Sequence, residues 1–264
     1  MADSLTFLGT ATTLLSYGDL TVLTDPNFLH RGERAYLGKG LWSRRLTEPA
    51  LQPDELPPLD AVVLSHLHGD HFDRRARRGL SRDLPIVTTR AAARRLRSWG
   101  FAHAVALDTW QSTEVVRGGA RLRVTAAPGR HAPGLAQALL PPVMGSVLEF
   151  LPGPGGPPPL RVYVTGDTLL HDDLREVPRR HPELDLGLWH LGGTRVLGLL
   201  VTMDAQQGAD LLEIVRPRTT VPVHFDDYGV FRSPLRDFLA EVDRRGLPGV
   251  RPVARGETVA LPLT

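Results

Sequence analysis

Leu64–His71 reads LSHLHGDH and holds three of the chain's ten histidines, His66, His68 and His71, with Asp70 among them. It directly follows DAVVLS, residues 60–65, an apolar run of strand length that reads as a buried central strand. That placement decides the reading. In a helix His66 and His68 would point roughly 200° apart. In an extended segment residues i and i+2 face the same side, so the two imidazoles can share one cation. Gly69 then permits a sharp turn, which swings Asp70 and His71 toward a second cation beside the first. Neutral imidazoles and carboxylates are typical donors to zinc-like ions. A histidine-rich polar loop is the competing reading, and the buried strand in front of the motif argues against it.

Further donors stand at equivalent places. His131 follows the strand RLRVTAA, Asp167 follows LRVYV in VTGDT, and His224 ends TTVPVHF. Each sits where a strand meets a loop, beside a glycine or proline. Singly, Asp167 reads equally as a helix N-cap and the two histidines as loop residues; together they form a set at strand ends. Around them SLTFL, TTLLSY and LTVLTD are short strands, PIVTT and HAVAL flank a helix from about Arg90 to Trp99, and Gly118-Gly119 turns a hairpin. PGPGGPPP, residues 152–159, reads as the loop of another hairpin. The last third alternates strand and helix. One helix starts near Asp204 and another near Ser233, with Ser233 as N-cap, Pro234 in the first turn, an apolar stripe of Leu235, Phe238, Leu239 and Val242, and Gly246 as terminator. Residues 27–58 read as a long irregular stretch.

With these residues in view, the chain resembles the metallo-β-lactamase-fold hydrolase superfamily over nearly its whole length. The carrying features are His66/His68/Asp70/His71, His131, Asp167 in TGDT and His224, in that order, and an opening FLGTATTLLSYGDLTVLTDP that ends at Asp25. Spacing and the VPVHF ending most resemble the branch of the L-ascorbate-6-phosphate lactonase and the N-acylphosphatidylethanolamine phospholipase D. The resemblance implies an αββα four-layer sandwich. It implies two divalent cations, zinc foremost and manganese or iron as alternatives. His66, His68 and His131 would hold one, Asp70, His71 and His224 the other, and Asp167 would bridge them. Because donors come from both sides of PGPGGPPP, residues 1–264 are expected to form one domain. The expected activity is hydrolysis of a small-molecule ester, lactone or phosphoester by a metal-bridging hydroxide, with Asp70 orienting it.

Some positions depart from the branch. Its first glycine turn often carries a histidine, where this chain has Gly9-Thr10-Ala11-Thr12, and a proline-containing turn is replaced by His190-Leu191-Gly192-Gly193. His190 reads either as a proton donor or substrate contact, or as a buried structural histidine. Tyr228 reads either as a donor to a developing oxyanion or as a packed loop aromatic. Asp204 and Gln207 fit a capping-box variant. Phe28 to Trp42 forms a candidate lid, and Arg31, Arg34, Arg44 and Arg45 are candidates to meet an anionic substrate.

Composition narrows the alternatives. The 31 basic and 29 acidic side chains leave a formal charge of +2, too even to indicate a nucleic-acid partner. The chain has no cysteine, which excludes disulfides and thiolate ligands. It shows neither a signal-peptide pattern nor an apolar run of membrane-span length, so a cytoplasmic location is expected. A nuclease or phosphodiesterase of the same fold and a non-catalytic metal-binding protein remain the alternatives. A flavin-linked di-iron reductase would favour a carboxylate where His68 stands. The expected partner is a small, anionic substrate; a homo-oligomer stays open.

Overall fold

A computed structural model describes residues 3–196 and 198–263. The chain opens with β1 (Ser4–Gly9), β2 (Thr12–Tyr17) and β3 (Leu20–Thr24). A hairpin, β4 (Arg34–Gly38) and β5 (Leu41–Arg44), precedes β6 (Ala61–Val63), α1 (Arg74–Gly79), β7 (Ile86–Thr89), α2 (Arg90–Ser98) and β8 (Ala104–Leu107). The second half runs β9 (Ser112–Arg117), β10 (Ala120–Ala127), β11 (Gly145–Leu151), β12 (Leu160–Val164), α3 (Glu176–Arg180) and β13 (Leu186–His190). A short pair, β14 (Arg195–Val196) and β15 (Leu199–Leu200), leads to α4 (Ala205–Val215), β16 (Thr219–Val223), α5 (Leu235–Arg245) and β17 (Thr258–Ala260).

Two sheets form, in the orders β17-β1-β2-β3-β6-β7-β8 and β16-β13-β12-β11-β10-β9. Each joins an antiparallel meander to a parallel part: β3, β6, β7 and β8 are parallel in the first, β12, β13 and β16 in the second. Inward side chains of both, such as Leu5, Val22, Val63, Leu122, Leu148, Val162 and Val221, make the central core. The outer face of the first sheet packs Val62, Leu64 and Ile86 on Ala76, Ala92, Ala93 and Leu96 of α1 and α2. That of the second packs Tyr163 and Trp189 against Leu211, Leu212, Phe238 and Val242 of α4 and α5. Strands buried on both faces explain why DAVVLS and LDLGLW read as continuous apolar runs. This is the expected αββα sandwich.

Three local expectations change. Residues 27–58 are not wholly irregular. Lys39-Gly40 closes the β4–β5 hairpin with φ of 49° and 79°, the positive pair that a primed two-residue turn needs. Ser233 is not the cap of α5; Pro234 holds that position without a side-chain bond, and Ser233 Oγ instead accepts from Ala205 N in the first turn of α4. Asp204 does cap α4, accepting from Gln207 N, but Gln207 does not reach back. Its Oε1 accepts from Leu170 N, tying α4 to the loop after Asp167.

Candidate metal centre

The parallel arrangement sends the C-terminal ends of β3 and β6 in one sheet, and of β10, β12, β13 and β16 in the other, to a common edge of the sandwich. Asp25, His66, His131, Asp167, His190 and His224 stand at those six ends. Open α/β sheets bind ligands at such carboxyl ends.

His66, His68 and His131 lie together, as do Asp70, His71, Asp167 and His224, each group offering donor atoms within 4.8 Å of one another. The structure thus brings together all seven residues singled out from the sequence. In the first group His66 Nε2 and His131 Nε2 converge on His68 Nδ1, at 2.9 and 3.4 Å. A proton on any one nitrogen serves one contact; a cation serves all three. His131 Nδ1 donates to Val201 O at 2.8 Å, leaving its Nε2 lone pair for the centre. His224 Nδ1 is likewise 3.2 Å from Leu191 O, with Nε2 turned toward Asp70 Oδ2 at 3.5 Å. His71 Nε2 is 3.2 Å from Asp167 Oδ2, near enough for an ion pair but not aligned as a hydrogen bond.

Those two Nε2 atoms, with Asp70 Oδ1 and Asp167 Oδ1, are buried without a hydrogen-bond partner. Leaving a buried polar atom unpaired costs about 1–3 kcal/mol, more if charged. Four such atoms aimed into one space, with three imidazole nitrogens beside them, fit divalent cations by number, chemistry and burial.

The two groups differ electrically. Burial, then the positive charges of neighbouring histidines, push the imidazoles of His66 and His68 down, His68 to about 4; burial lowers His131. For His71, burial opposes charge, but Asp167, Asp70 and Asp25 outweigh it and hold the ring well above the ordinary histidine value. His224 is raised against burial by Asp167 and Asp70. Burial would raise the carboxyls of Asp70 and Asp167; His71 and His224 hold both below the usual range.

The motif turns after His68, with His71 N and Phe72 N both donating to His68 O. Gly69 is needed for a reason other than turning. Its φ is not left-handed, but a Cβ there would lie 2.7 Å from Tyr36 N and 2.9 Å from Tyr36 O on β4, and Gly69 N donates to Tyr36 O. Strain sits elsewhere: Thr10, Asp25 and His224 take φ of 52°, 35° and 63° without being glycine, at about 1–3 kcal/mol each.

Asp25 was not singled out from the sequence as a donor. Its Oδ1 accepts from Ser65 N and Ser65 Oγ and lies 3.5 Å from His71 Nδ1; its Oδ2 lies 3.1 Å from His190 Nε2. Burial would raise this carboxyl, but His71 and His190 bring it down to about 2. The available signal was the Asp25-Pro26 step that ends β3 beside β6. His190 is fully buried behind His71, and Thr165 Oγ1 lies 3.3 Å from its Nδ1. Tyr228 is also buried, its hydroxyl donating to Asn27 Oδ1 at 3.0 Å. Asn27 Nδ2 in turn donates to Gly69 O and Asp73 Oδ2, linking the His224 loop to the motif. Arg45 does not face a substrate: it is fully buried, 3.3 Å from Asp227 Oδ1 and donating to Asn27 O. Removing one partner of such a pair costs about 3–5 kcal/mol, which makes it a strut.

Residues 21–225 match the family described as Beta-lactamase superfamily domain. The chain belongs to that superfamily, and its sandwich is the metallo-β-lactamase fold. A UPF0173 metal-dependent hydrolase of Deinococcus radiodurans is 28% identical over 229 residues, covering 83% of this chain and 92% of that one. Two solved structures share the fold. One, a possible metal-dependent hydrolase from Veillonella parvula, has a TM-score of 0.80 at 23% identity, covering 99% of this chain and 100% of that one. The other, an isothiocyanate hydrolase from Delia radicum gut bacteria, has a TM-score of 0.79 at 21% identity over 97% and 98%. Among the described residues no helix is long and apolar enough to cross a membrane.

Proposed function

We propose that this chain is a dinuclear metal-dependent hydrolase of a small-molecule ester, lactone or phosphoester. The carrying observation is the four unpartnered donor atoms of Asp70, His71, Asp167 and His224, buried beside the three converging nitrogens of His66, His68 and His131. In this reading the three histidines hold one ion, Asp70, His71 and His224 hold the other, and Asp167 is shared. Bound there, divalent cations supply Lewis acidity and lower the pKa of a coordinated water from about 15.7 toward 7. The protein does the rest. Val201 O and Leu191 O fix the tautomers of His131 and His224. Asp70, while holding an ion, would also orient the nucleophilic water through a hydrogen bond to its carboxylate. His190 holds Asp25 behind His71, and Tyr228 holds the His224 loop to Asn27.

Zinc suits the donor set best, with manganese or iron as alternatives. The motif spacing and the VPVHF ending support the lactonase and phospholipase D-like branch, the near-even charge supports a small-molecule substrate over nucleic acid, and we read the chain as one cytoplasmic domain. Protein purified without chelator and supplied with zinc or manganese should hold about two metal equivalents; below about one, the reading fails. A panel of a lactone, a phosphodiester and a thioester then defines the bond. Turnover should vanish in Asp70→Ala, and turnover that survives would remove the mechanism.

A further inference from the structure

The seven candidate ligands are nearly closed to solvent, and His68, at 9%, is the most exposed of them. A cleft of about 370 Å³ abuts His68 and Gly69, a size within the ordinary range of small-ligand sites. One wall is the β4–β5 hairpin, through Arg34, Ala35, Tyr36 and Trp42; a Cβ on its Gly38 would lie 3.5 Å from His68 Nε2. The other is formed by α1 and the end of α2.

Two features of its lining require an explanation. The first is aromatic. Tyr36 and Trp42 stand side by side on the hairpin, ring centroids 4.9 Å apart, yet remain 46% and 58% exposed. Phe72 and Trp99 line the same cleft, stacked on each other at 6.4 Å. Large aromatics left in water beside a buried reactive centre mark a binding surface, because their apolar area is still available to a ligand. The second is charge. Arg34, Arg74 and Arg95 line the same cleft. Arg74 is paired with Glu33, and Arg95 lies over Trp99 at 5.1 Å. Arg34 is exposed and, among the described residues, has no ion pair. The one acid of the lining, Asp73, is buried and spent on the backbone N–H groups of Phe28, Leu29, Arg75 and Ala76. The cleft is therefore apolar on its walls and cationic at its mouth.

We infer that this cleft is the substrate's second subsite, binding a planar apolar arm against the exposed Tyr36–Trp42 pair and an anionic group on that arm at Arg34. The inference rests on the hydrolase reading and narrows it: the substrate is an amphipathic organic anion whose scissile group passes His68. No covalent step belongs to this subsite. The ring stacks on indole and phenol faces, and the anion pairs with a guanidinium that binding partly desolvates.

The test uses 2-naphthoate and its neutral counterpart 2-naphthylmethanol, titrated by calorimetry into the full chain, metal-loaded and chelator-stripped. The naphthoate should bind one to one and about fivefold tighter than the alcohol, with or without metal. Trp42→Ala should weaken both about tenfold, and Arg34→Gln should weaken only the naphthoate. Both positions are exposed, and an unchanged melting temperature checks that the variants fold. Equal affinity for the two probes, or binding indifferent to Trp42, overturns the subsite. Naphthoate binding that disappears with the metal shows a carboxylate on the ions instead, and also overturns it. If the subsite is right but the hydrolase reading is wrong, the binding results stand while turnover in the Asp70 comparison does not appear.

Discussion

The cluster of His66, His68 and His131 contains no carboxylate, whereas that of Asp70, His71, Asp167 and His224 contains two. Both are buried at the same edge of one sandwich, yet they have opposite electrostatic characters. In the first, burial and neighbouring positive charge keep the rings as neutral lone-pair donors. In the second, the carboxylates of Asp167 and Asp70 overcome burial and raise His71 and His224 above the ordinary histidine value. A cation entering the first group meets neutral nitrogen donors; one entering the second also gains negative ligands. Carboxylate placement, more than histidine count, distinguishes the half-sites.

The most severe way to break that distinction is Asp167→Asn, which removes the one carboxylate proposed to serve both. Metal content should fall at both half-sites, and turnover should drop about 10²- to 10⁴-fold, as expected for about 3–5 kcal/mol of lost buried charge pairing. Elemental analysis and kinetics read both; retention of one full equivalent would show that Asp167 serves one side alone. His131→Ala should be selective, removing about one equivalent and leaving the second group loaded. A smaller effect is expected from His190→Gln. Through Asp25 it should weaken metal affinity at the second group by about 10–100-fold. Cobalt titration followed by absorbance separates the two affinities, and an equal loss at both groups would contradict the assignment.

The smallest effect lies at the surface. Glu33 pairs with Arg74 and Arg75, which ties the hairpin approach to α1. The Arg75 hydrogen bond, against a smaller burial penalty, holds its carboxyl at about 2. A depressed carboxyl stabilises above its unfolded value and loses that contribution as pH falls toward the folded one. Glu33→Gln should therefore cost about 0.2–1 kcal/mol at neutral pH, and the difference should close between about pH 4.5 and 2. Melting temperatures of both proteins across that range provide the check; a constant gap would show that charge is not the cause.

The candidate donors were legible in the sequence because four are crowded just after β6 and His131, Asp167 and His224 each follow a further strand, near a glycine or proline that ends the apolar run. Such signals are local. The residues that hold the donors were less legible, because their partners are remote. Arg45 reads as a solvated arginine until Asp227, 182 positions away, is placed beside it. Asp25 reads as a strand end until β3 lies parallel to β6 and brings it under Ser65 and His71. Gly69 reads as a hinge, whereas what demands it is the Tyr36 backbone on a hairpin hidden in an arginine- and glycine-rich stretch. His190 offers two readings in sequence; its burial against Asp25 is a property of two sheets meeting.

His66 and His68 extend from β6 in one sheet and His131 from β10 in the other, while His71 faces Asp167 and His224 across the same gap. Any ion seated here would be a clasp between the two layers, beside the polar ties of Asp25 to His190 and of Ser65 O to Met144 N at the same edge. Loss of such an ion is expected to loosen that hem of the sandwich before the far side, tying the chain's stability to metal supply as well as to temperature.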